Sequence, residues 1–293
     1  MEKLIFMNEV DNFWTNHTII SDTKVNEYKC VGDSISSLNE RMNTYLKFTE
    51  LMQLDEKHKD KIILDYGCGA GHDLVRFADF SEAKTVIGMD ISQTALNHAQ
   101  KRLNLHDFKN VKLLKIESDE ICELPFKDNT IDYIHSCGVL HHTSNMQKIL
   151  SEFSRIMKDD ACGNIMVYNY DSIFLHLYIA YFVKQVAKWY SDTPKNIFKT
   201  ISDGGNCPIA EIFKPEEFID ICENNNLKCE FSGGYLSTTE IQYYNTYVQE
   251  TKNSCLNDES REFAKNLTVT SDGLIMYKGK YAGLGGSFKI YKK

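Results

Sequence analysis

Ile63-Leu64-Asp65-Tyr66-Gly67-Cys68-Gly69-Ala70-Gly71 is the most informative stretch of this 293-residue chain. Its apolar start predicts a buried strand, and an acidic residue stands where that strand ends. Three alternate glycines then turn the chain into a helix, and glycine lets a ligand lie directly against the backbone. The free N–H groups that begin the helix favour a carboxylate, while Asp65 can face a cationic group. The stretch therefore predicts a strand, turn and helix that bind a small ligand.

The same alternation of strands and helices continues toward the C-terminus. Four further strands are predicted, at residues 85–89, 111–116, 131–135 and 165–168. Ser92 is predicted to cap the helix after the second strand, and apolar side chains recur at helical spacing over residues 146–156. This order predicts an α/β fold with a doubly wound, Rossmann-like, mostly parallel sheet and an antiparallel final strand.

Three parts of the chain are predicted. Residues 1–60 form a helical, polar N-terminal arm that acts as a lid, and residues 61–171 form the ligand-binding core. Residues 172–293 hold an insertion and the final strands, which complete the sheet and the acceptor pocket. An apolar helix is predicted over residues 172–190, and the last strands over 227–231 and 287–291.

A second acidic residue, Asp90, ends the second strand about twenty residues after the glycines. A carboxylate there can accept hydrogen bonds from both hydroxyls of a ribose, so the unit is predicted to bind a nucleoside. The dinucleotide fingerprint G-x-G-x-x-G needs its third glycine at the position that His72 occupies. The spacing therefore counts against NAD, although a nicotinamide oxidoreductase is kept as an alternative.

With these residues the chain resembles the class I S-adenosylmethionine-dependent methyltransferases, in particular the subgroup with many small-molecule acceptors. Residues 118–126 resemble the acidic loop of that family, which ends in Leu-Pro-Phe, and residues 128–142 resemble its fourth strand and following loop. The resemblance implies S-adenosylmethionine as cofactor and S-adenosylhomocysteine as product. It implies cofactor contacts from Asp65, Gly67, Cys68, Gly69, Gly71, Asp90, Ile91, Asp119, Glu120, Ile121, Ser136 and Cys137. Asp119 would contact the adenine amino group, with Glu120 and Ile121 alongside.

His141 and His142 stand where donor and acceptor should meet, and either can take a proton because histidine titrates near neutrality. The alternative is that both pack and hold the loop. The predicted acceptor contacts are Tyr168, Asn169, Tyr170 and Tyr235. No set of His, Cys and Asp has the sequence spacing of a metal site, so no metal is predicted.

The composition limits the class of acceptor. A net charge of -8 without a basic run counts against nucleic acid, so the predicted partner is a small molecule with an O or N nucleophile. Nine scattered cysteines and no evident leader favour a cytoplasmic protein. Residues 173–183 are too short to span a bilayer, but their apolar character leaves peripheral lipid contact open. A cofactor-binding module without catalysis is the alternative from another class, and the sequence indicates no oligomeric state.

Overall fold

The computed structural model describes residues 2–17, 24–117, 122–254 and 257–293. Its strands are β1 (Tyr45–Leu46), β2 (Ile62–Tyr66), β3 (Thr85–Asp90), β4 (Val111–Lys115), β5 (Ile131–Cys137), β6 (Met157–Asn169), β7 (Ile212–Phe213), β8 (Leu227–Ser237), β9 (Thr268–Val269), β10 (Ile275–Tyr277), β11 (Lys280–Tyr281) and β12 (Gly285–Lys292). Its helices are α1 (Glu2–Asn16), α2 (Val31–Thr44), α3 (Phe48–Leu51), α4 (His72–Phe80), α5 (Gln93–His106), α6 (Met146–Ile156), a π-helix (Phe174–Val186), α7 (Pro194–Ile201), α8 (Pro215–Glu223), α9 (Thr238–Asn253) and α10 (Asp258–Lys265).

One sheet organises the described chain, in the order β1-β8-β12-β6-β5-β2-β3-β4 with β7 beside β6. The strands from β6 to β4 pair in parallel, as strands joined by crossover helices do. β12 runs antiparallel to both of its neighbours, β6 and β8. The predicted Rossmann-like α/β sheet with an antiparallel final strand is therefore confirmed.

Helices cover both faces of this sheet, which explains why β2 and β5 are apolar on both sides. Leu64 and Ile134 belong to the core cluster on one face, and Ile63 and Tyr133 belong to the cluster on the other. The predicted cap of α5 is present, because the Ser92 hydroxyl accepts a hydrogen bond from the backbone N–H of Ala95. The helices thus begin where the parallel strands end, and this edge of the sheet carries the site.

The N-terminal arm is mostly helical, as predicted, but it also supplies β1 to the edge of the sheet beside β8. Ser287 on β12 donates its hydroxyl to the carbonyl of Leu51 at 2.8 Å, which ties α3 to the final strand. We keep the division into residues 1–60, 61–171 and 172–293 as a proposal in which the outer two parts complete the middle one.

The insertion after β6 begins with a π-helix rather than the longer helix predicted over residues 172–190. Its aromatic side chains stack on α9, with ring centroids 4.4 Å apart for Tyr178 and Tyr243 and 5.2 Å apart for Phe182 and Tyr247. These α9 tyrosines therefore pack against the π-helix. Among the described residues, no helix combines the length and apolar character needed to cross a membrane.

Candidate active site

Two adjoining cavities open at the carboxyl ends of the parallel strands, where ligands bind in such sheets. The first has a volume of about 140 Å³ and the second about 630 Å³. Seven residues line both cavities, among them Trp14, Gly67, Cys137, Gly138 and His142. Because they share these walls, the cavities form one site with two compartments.

The glycine turn forms the floor of this site. Gly67 has a φ of 78°, and a Cβ on it would lie 2.1 Å from a methyl group of Val139. Gly67 and Gly69 line both cavities, and Cys68 lines the second. Gly71 requires a correction: it lines neither cavity, and a Cβ there would lie 3.2 Å from that of Ala99 on α5. Its role is the close packing of two helices.

Asp90 and Ile91 line the first cavity, and their contact with a cofactor stays a prediction. The Asp90 carboxylate accepts hydrogen bonds from the backbone N–H of Gly69 and of Ser92, both at 2.8 Å. A carboxylate has about four acceptor sites, so it can accept further hydrogen bonds from a ligand. These bonds hold Asp90 against the glycine turn and aim it into the cavity.

Asp65 lies in the second cavity and is 2% exposed. Its Oδ2 has no hydrogen-bond partner among the described residues. Burial raises the pKa of this carboxyl to about 7, although His135 nearby opposes the rise. A buried carboxylate without a partner is costly, so Asp65 is suited to a cationic ligand group.

Beside Asp65 lies an ion-pair network that the sequence alone did not predict. Arg41 on α2 donates to Asp73 on α4 at 2.7 Å, and Asp73 also lies 3.1 Å from Nε2 of His135. Burial alone would raise the pKa of Asp73, but Arg41 and His135 hold it well below its usual range. Arg41 and Asp73 line the second cavity, so they place a charged pair next to the carboxyl of Asp65. Because these residues come from distant elements, no local pattern reveals them.

The two predicted catalytic histidines lie in different environments. His142 lines both cavities, whereas His141 lines neither. His141 is 1% exposed, its ring packs 3.9 Å from that of Tyr168, and neither ring nitrogen has a hydrogen-bond partner among the described residues. Only His142 can therefore reach a ligand, and the prediction for His141 is corrected to packing behind it.

Of the four predicted acceptor residues, two line a cavity and two do not. Tyr168 and Tyr235 line the second cavity. Asn169 and Tyr170 do not line either cavity, because the Asn169 amide donates to the carbonyls of Asp171 and Gly283 and the Tyr170 hydroxyl donates to Glu259. Both are removed from the candidate site.

Two predicted cofactor contacts beyond the glycine turn are the last two residues of β5. Cys137 lines both cavities, but Ser136 is fully buried and donates its hydroxyl to the carbonyl of Tyr66 at 3.0 Å. Ser136 therefore holds two strands together instead of facing the cavities. Asp119, Glu120 and Ile121 lie outside the described residues.

Within the described parts of the chain, two groups of side chains bring potential metal ligands within 4.8 Å of one another. They are Asp73, His135 and Cys137, and His142, Asp203 and Cys207. Burial raises the pKa of each of the two thiols to about 12, so both are protonated near neutrality. Metals bind the thiolate, so both groups are unfavourable sites, and the absence of a metal stays a prediction.

Comparison with known proteins places this geometry in a family. The sequence profile of the methyltransferase domain matches residues 57–254. An uncharacterised protein of Methanocaldococcus jannaschii is 35% identical over 127 residues, which are 42% of this chain and 48% of that protein. A demethylmenaquinone methyltransferase of Listeria welshimeri is 27% identical over 147 residues, or 47% of this chain and 61% of that protein. The chain thus spans about half to three fifths of the length of these curated relatives.

A solved structure with the same fold is geranyl diphosphate C-methyltransferase from Streptomyces coelicolor. The two chains superpose with a TM-score of 0.56 over 98% of this chain and 97% of that chain. At 13% identity this likeness shows the fold alone. The domain profile, in contrast, covers more than half of the sequence. The chain therefore belongs to the methyltransferase domain family.

Proposed function

We propose that the chain is an S-adenosylmethionine-dependent methyltransferase that methylates an O or N nucleophile of a small-molecule acceptor. The observation that carries this proposal is the meeting of two cavities at Gly67, Cys137 and His142. One compartment suits a nucleoside and the other has the volume of a typical ligand pocket. A donor whose nucleoside lies in the first compartment reaches into the second with its methionine end, where an acceptor can approach the methyl group beside the shared wall.

The residues of the site fit S-adenosylmethionine. Asp90 can accept hydrogen bonds from the ribose hydroxyls, and Ile91 and Ile116 line the same cavity with apolar surface for the adenine. Asp65 offers its buried carboxylate to the amino group of the methionine end, and Arg41 brings a positive charge for the carboxylate. Gly67 lines both cavities, and its lack of a side chain lets Val139 pack against its backbone, because a Cβ there would lie 2.1 Å from a Val139 methyl group.

When bound, S-adenosylmethionine supplies an electrophilic methyl group on a sulfonium, which reacts by direct in-line displacement. The chain then has to orient the acceptor and exclude water. Trp14 on α1 lines both cavities and lies 4.9 Å from the His142 ring, so the N-terminal arm covers the place of transfer. Tyr168 and Tyr235 form the acceptor side of the second cavity.

The class of acceptor is supported by the charge of the chain and by the volume of the second cavity, about 630 Å³. The membership in the methyltransferase domain family counts against a nicotinamide oxidoreductase. A module that binds the cofactor without turnover remains the competing function. Binding without transfer to any acceptor would favour that competitor.

The experiment is a transfer assay with methyl-labelled S-adenosylmethionine and three acceptor pools, namely small metabolites, total RNA and total protein. We expect label in the small-metabolite pool only. Asp90→Ala should lose the transfer, while Asp159→Ala, a change at a side chain that is 92% exposed, should keep it. Label in RNA or protein, with none in small metabolites, would contradict the proposed acceptor class.

A further inference from the structure

The turn Ser202–Gly204 of the insertion brings a carboxylate beside the histidine at the place of transfer. Asp203 lines the second cavity, and its Oδ2 lies 3.6 Å from Nε2 of His142. The two residues are 61 positions apart in the sequence. No local motif joins them, and only the fold makes them a pair.

The orientation of the His142 ring is fixed by the backbone of the insertion. Its Nδ1 lies 2.6 Å from the carbonyl oxygen of Ile209, and because a carbonyl can only accept, Nδ1 carries the proton of this hydrogen bond. The second nitrogen, Nε2, is therefore the one that can gain or lose a proton. It faces Asp203.

Asp203 is itself held in place from the other side. Its Oδ1 accepts a hydrogen bond from the Tyr168 hydroxyl at 2.8 Å. Its Oδ2 is buried and has no hydrogen-bond partner within the described part of the chain. The backbone of Asp203 is left-handed, with φ 53° and ψ 39°, a conformation that is uncommon for a residue other than glycine. The turn thus presents one carboxylate oxygen to His142.

A proton between these two groups would be bound by both. With a neutral imidazole and an ionised carboxylate, Nε2 and Oδ2 are both acceptors and repel each other. With a proton on Nε2, they become an ion pair in a buried site. The side chains of His141, Tyr168, Cys207 and His17 also face this region, and none of them carries a fixed charge. Burial lowers the pKa of His142, and the Asp203 carboxylate opposes that effect.

We propose that His142 and Asp203 act together as the general base of the transfer, with Tyr168 positioning the carboxylate, so that the acceptor is one that arrives with a proton on nitrogen or oxygen. This inference rests on the proposed function. An acceptor of this class is a hydroxyl compound or a protonated amine. A preformed thiolate would not need the pair.

The proton of the acceptor moves to Nε2 of His142, before the new bond forms when the acceptor is a protonated amine and as it forms when the acceptor is a hydroxyl. A lone pair of the acceptor nitrogen or oxygen then forms the bond to the methyl carbon, and the bond between that carbon and sulfur breaks with its electrons left on sulfur. The carboxylate of Asp203 balances the charge of the imidazolium. The proton leaves to solvent when the product does.

The first test measures His142 directly, without turnover. The nitrogen chemical shifts of 15N-histidine-labelled protein are followed against pH, with His142→Gln used to assign the signal. In Asp203→Asn we expect the pKa of His142 to fall by at least about one pH unit, because the carboxylate that favours the imidazolium is lost. The control Asp171→Asn changes a carboxylate of the same exposure, 18% against 19%, that also forms an ion pair at 3.6 Å, with Lys278. This control substitution should leave the pKa of His142 unchanged.

The result that would overturn the pairing is an unchanged His142 titration in Asp203→Asn, or the same fall in the control. If Asp203→Asn does not fold, Tyr168→Phe replaces it. Loss of the hydroxyl makes the carboxylate a stronger proton acceptor, so the pKa of His142 should rise in this variant. A fall or no change would again contradict the pairing.

The second test distinguishes a failure of the proposed base from a failure of the proposed methyltransferase function. Asp203→Asn should keep S-adenosylhomocysteine affinity within about threefold while kcat for the acceptor falls by about 10²-fold or more, the usual contribution of a general base. The rising limb of kcat against pH should move with the His142 titration. Failure of wild type to bind S-adenosylhomocysteine would overturn the proposed function, whereas normal binding and an unchanged kcat would overturn the base alone.

Discussion

Asp65→Asn should stabilise the ligand-free protein at neutral pH while it weakens cofactor binding. Burial raises the pKa of the Asp65 carboxyl from its ordinary 3.8 to about 7 in the folded chain. Between these pH values the folded carboxyl holds a proton that the unfolded one has released. The stability that the protonated Asp65 carboxyl contributes is therefore fully present below about pH 4 and is lost as the pH rises to about 7.

The magnitude follows from these pKa values. One pH unit corresponds to about 1.4 kcal/mol, so the ionised carboxylate lowers the free energy of unfolding by up to about 4 kcal/mol above pH 7. Asparagine keeps the shape and cannot ionise, so the variant avoids this loss. For a chain of this size the melting temperature at pH 8 should rise by roughly 10 °C, and the gain should nearly vanish toward pH 4.

The assay is thermal unfolding of wild type and variant between pH 4.5 and pH 8.5, without ligand. The control is Asp73→Asn, because Arg41 and His135 hold the pKa of this neighbouring carboxyl low. Its ionised form is the favoured one, so that substitution should destabilise the protein at pH 8. If Asp65→Asn were destabilised at pH 8, or if its effect did not change with pH, folding would not raise the pKa of the Asp65 carboxyl.

Two further substitutions test the walls of the site. Gly67→Ala should weaken S-adenosylhomocysteine binding and lower the melting temperature more than Gly273→Ala does, as calorimetry and thermal unfolding would measure. Both glycines are left-handed, with φ 78° and 82°, but only the Cβ on Gly67 would strike Val139. Equal losses of stability in the two variants would contradict the close approach. Trp14→Ala should speed dissociation of S-adenosylhomocysteine, because this ring lines both cavities and covers the place of transfer. Stopped-flow dissociation rates equal to those of wild type would show that α1 does not cover the bound ligand.

The sequence was sufficient for the parts of the site that one supersecondary unit builds. Residues 63–71 and Asp90 are joined by a strand, a turn and a helix, so their meeting follows from local patterns. The class of sheet could also be predicted, since parallel strands joined by crossover helices allow few arrangements. The same patterns predicted the antiparallel last strand.

Contacts between distant elements could not be predicted in the same way. Arg41 meets Asp73, and Asp203 meets His142, only after the arm and the insertion have packed on the core. The sequence also does not show which side of a strand end faces a cavity. Tyr168 lines the second cavity, but Asn169 is turned to the opposite face, where the backbone of residues 171 and 283 accepts its amide. The role of Gly71 likewise depends on a contact with another helix, because Ala99 on α5 lies close to its backbone.

In the proposed function, the first cavity binds the nucleoside of S-adenosylmethionine through Asp90. Calorimetric titration of S-adenosylhomocysteine into wild type and Asp90→Ala tests this binding mode. Each charge-assisted hydrogen bond contributes about 1.5–3 kcal/mol, so loss of two should weaken binding by at least about 100-fold. Micromolar binding by wild type that disappears in the variant is the predicted result. Equal affinity of the two proteins, or no binding by folded wild type, would contradict the account.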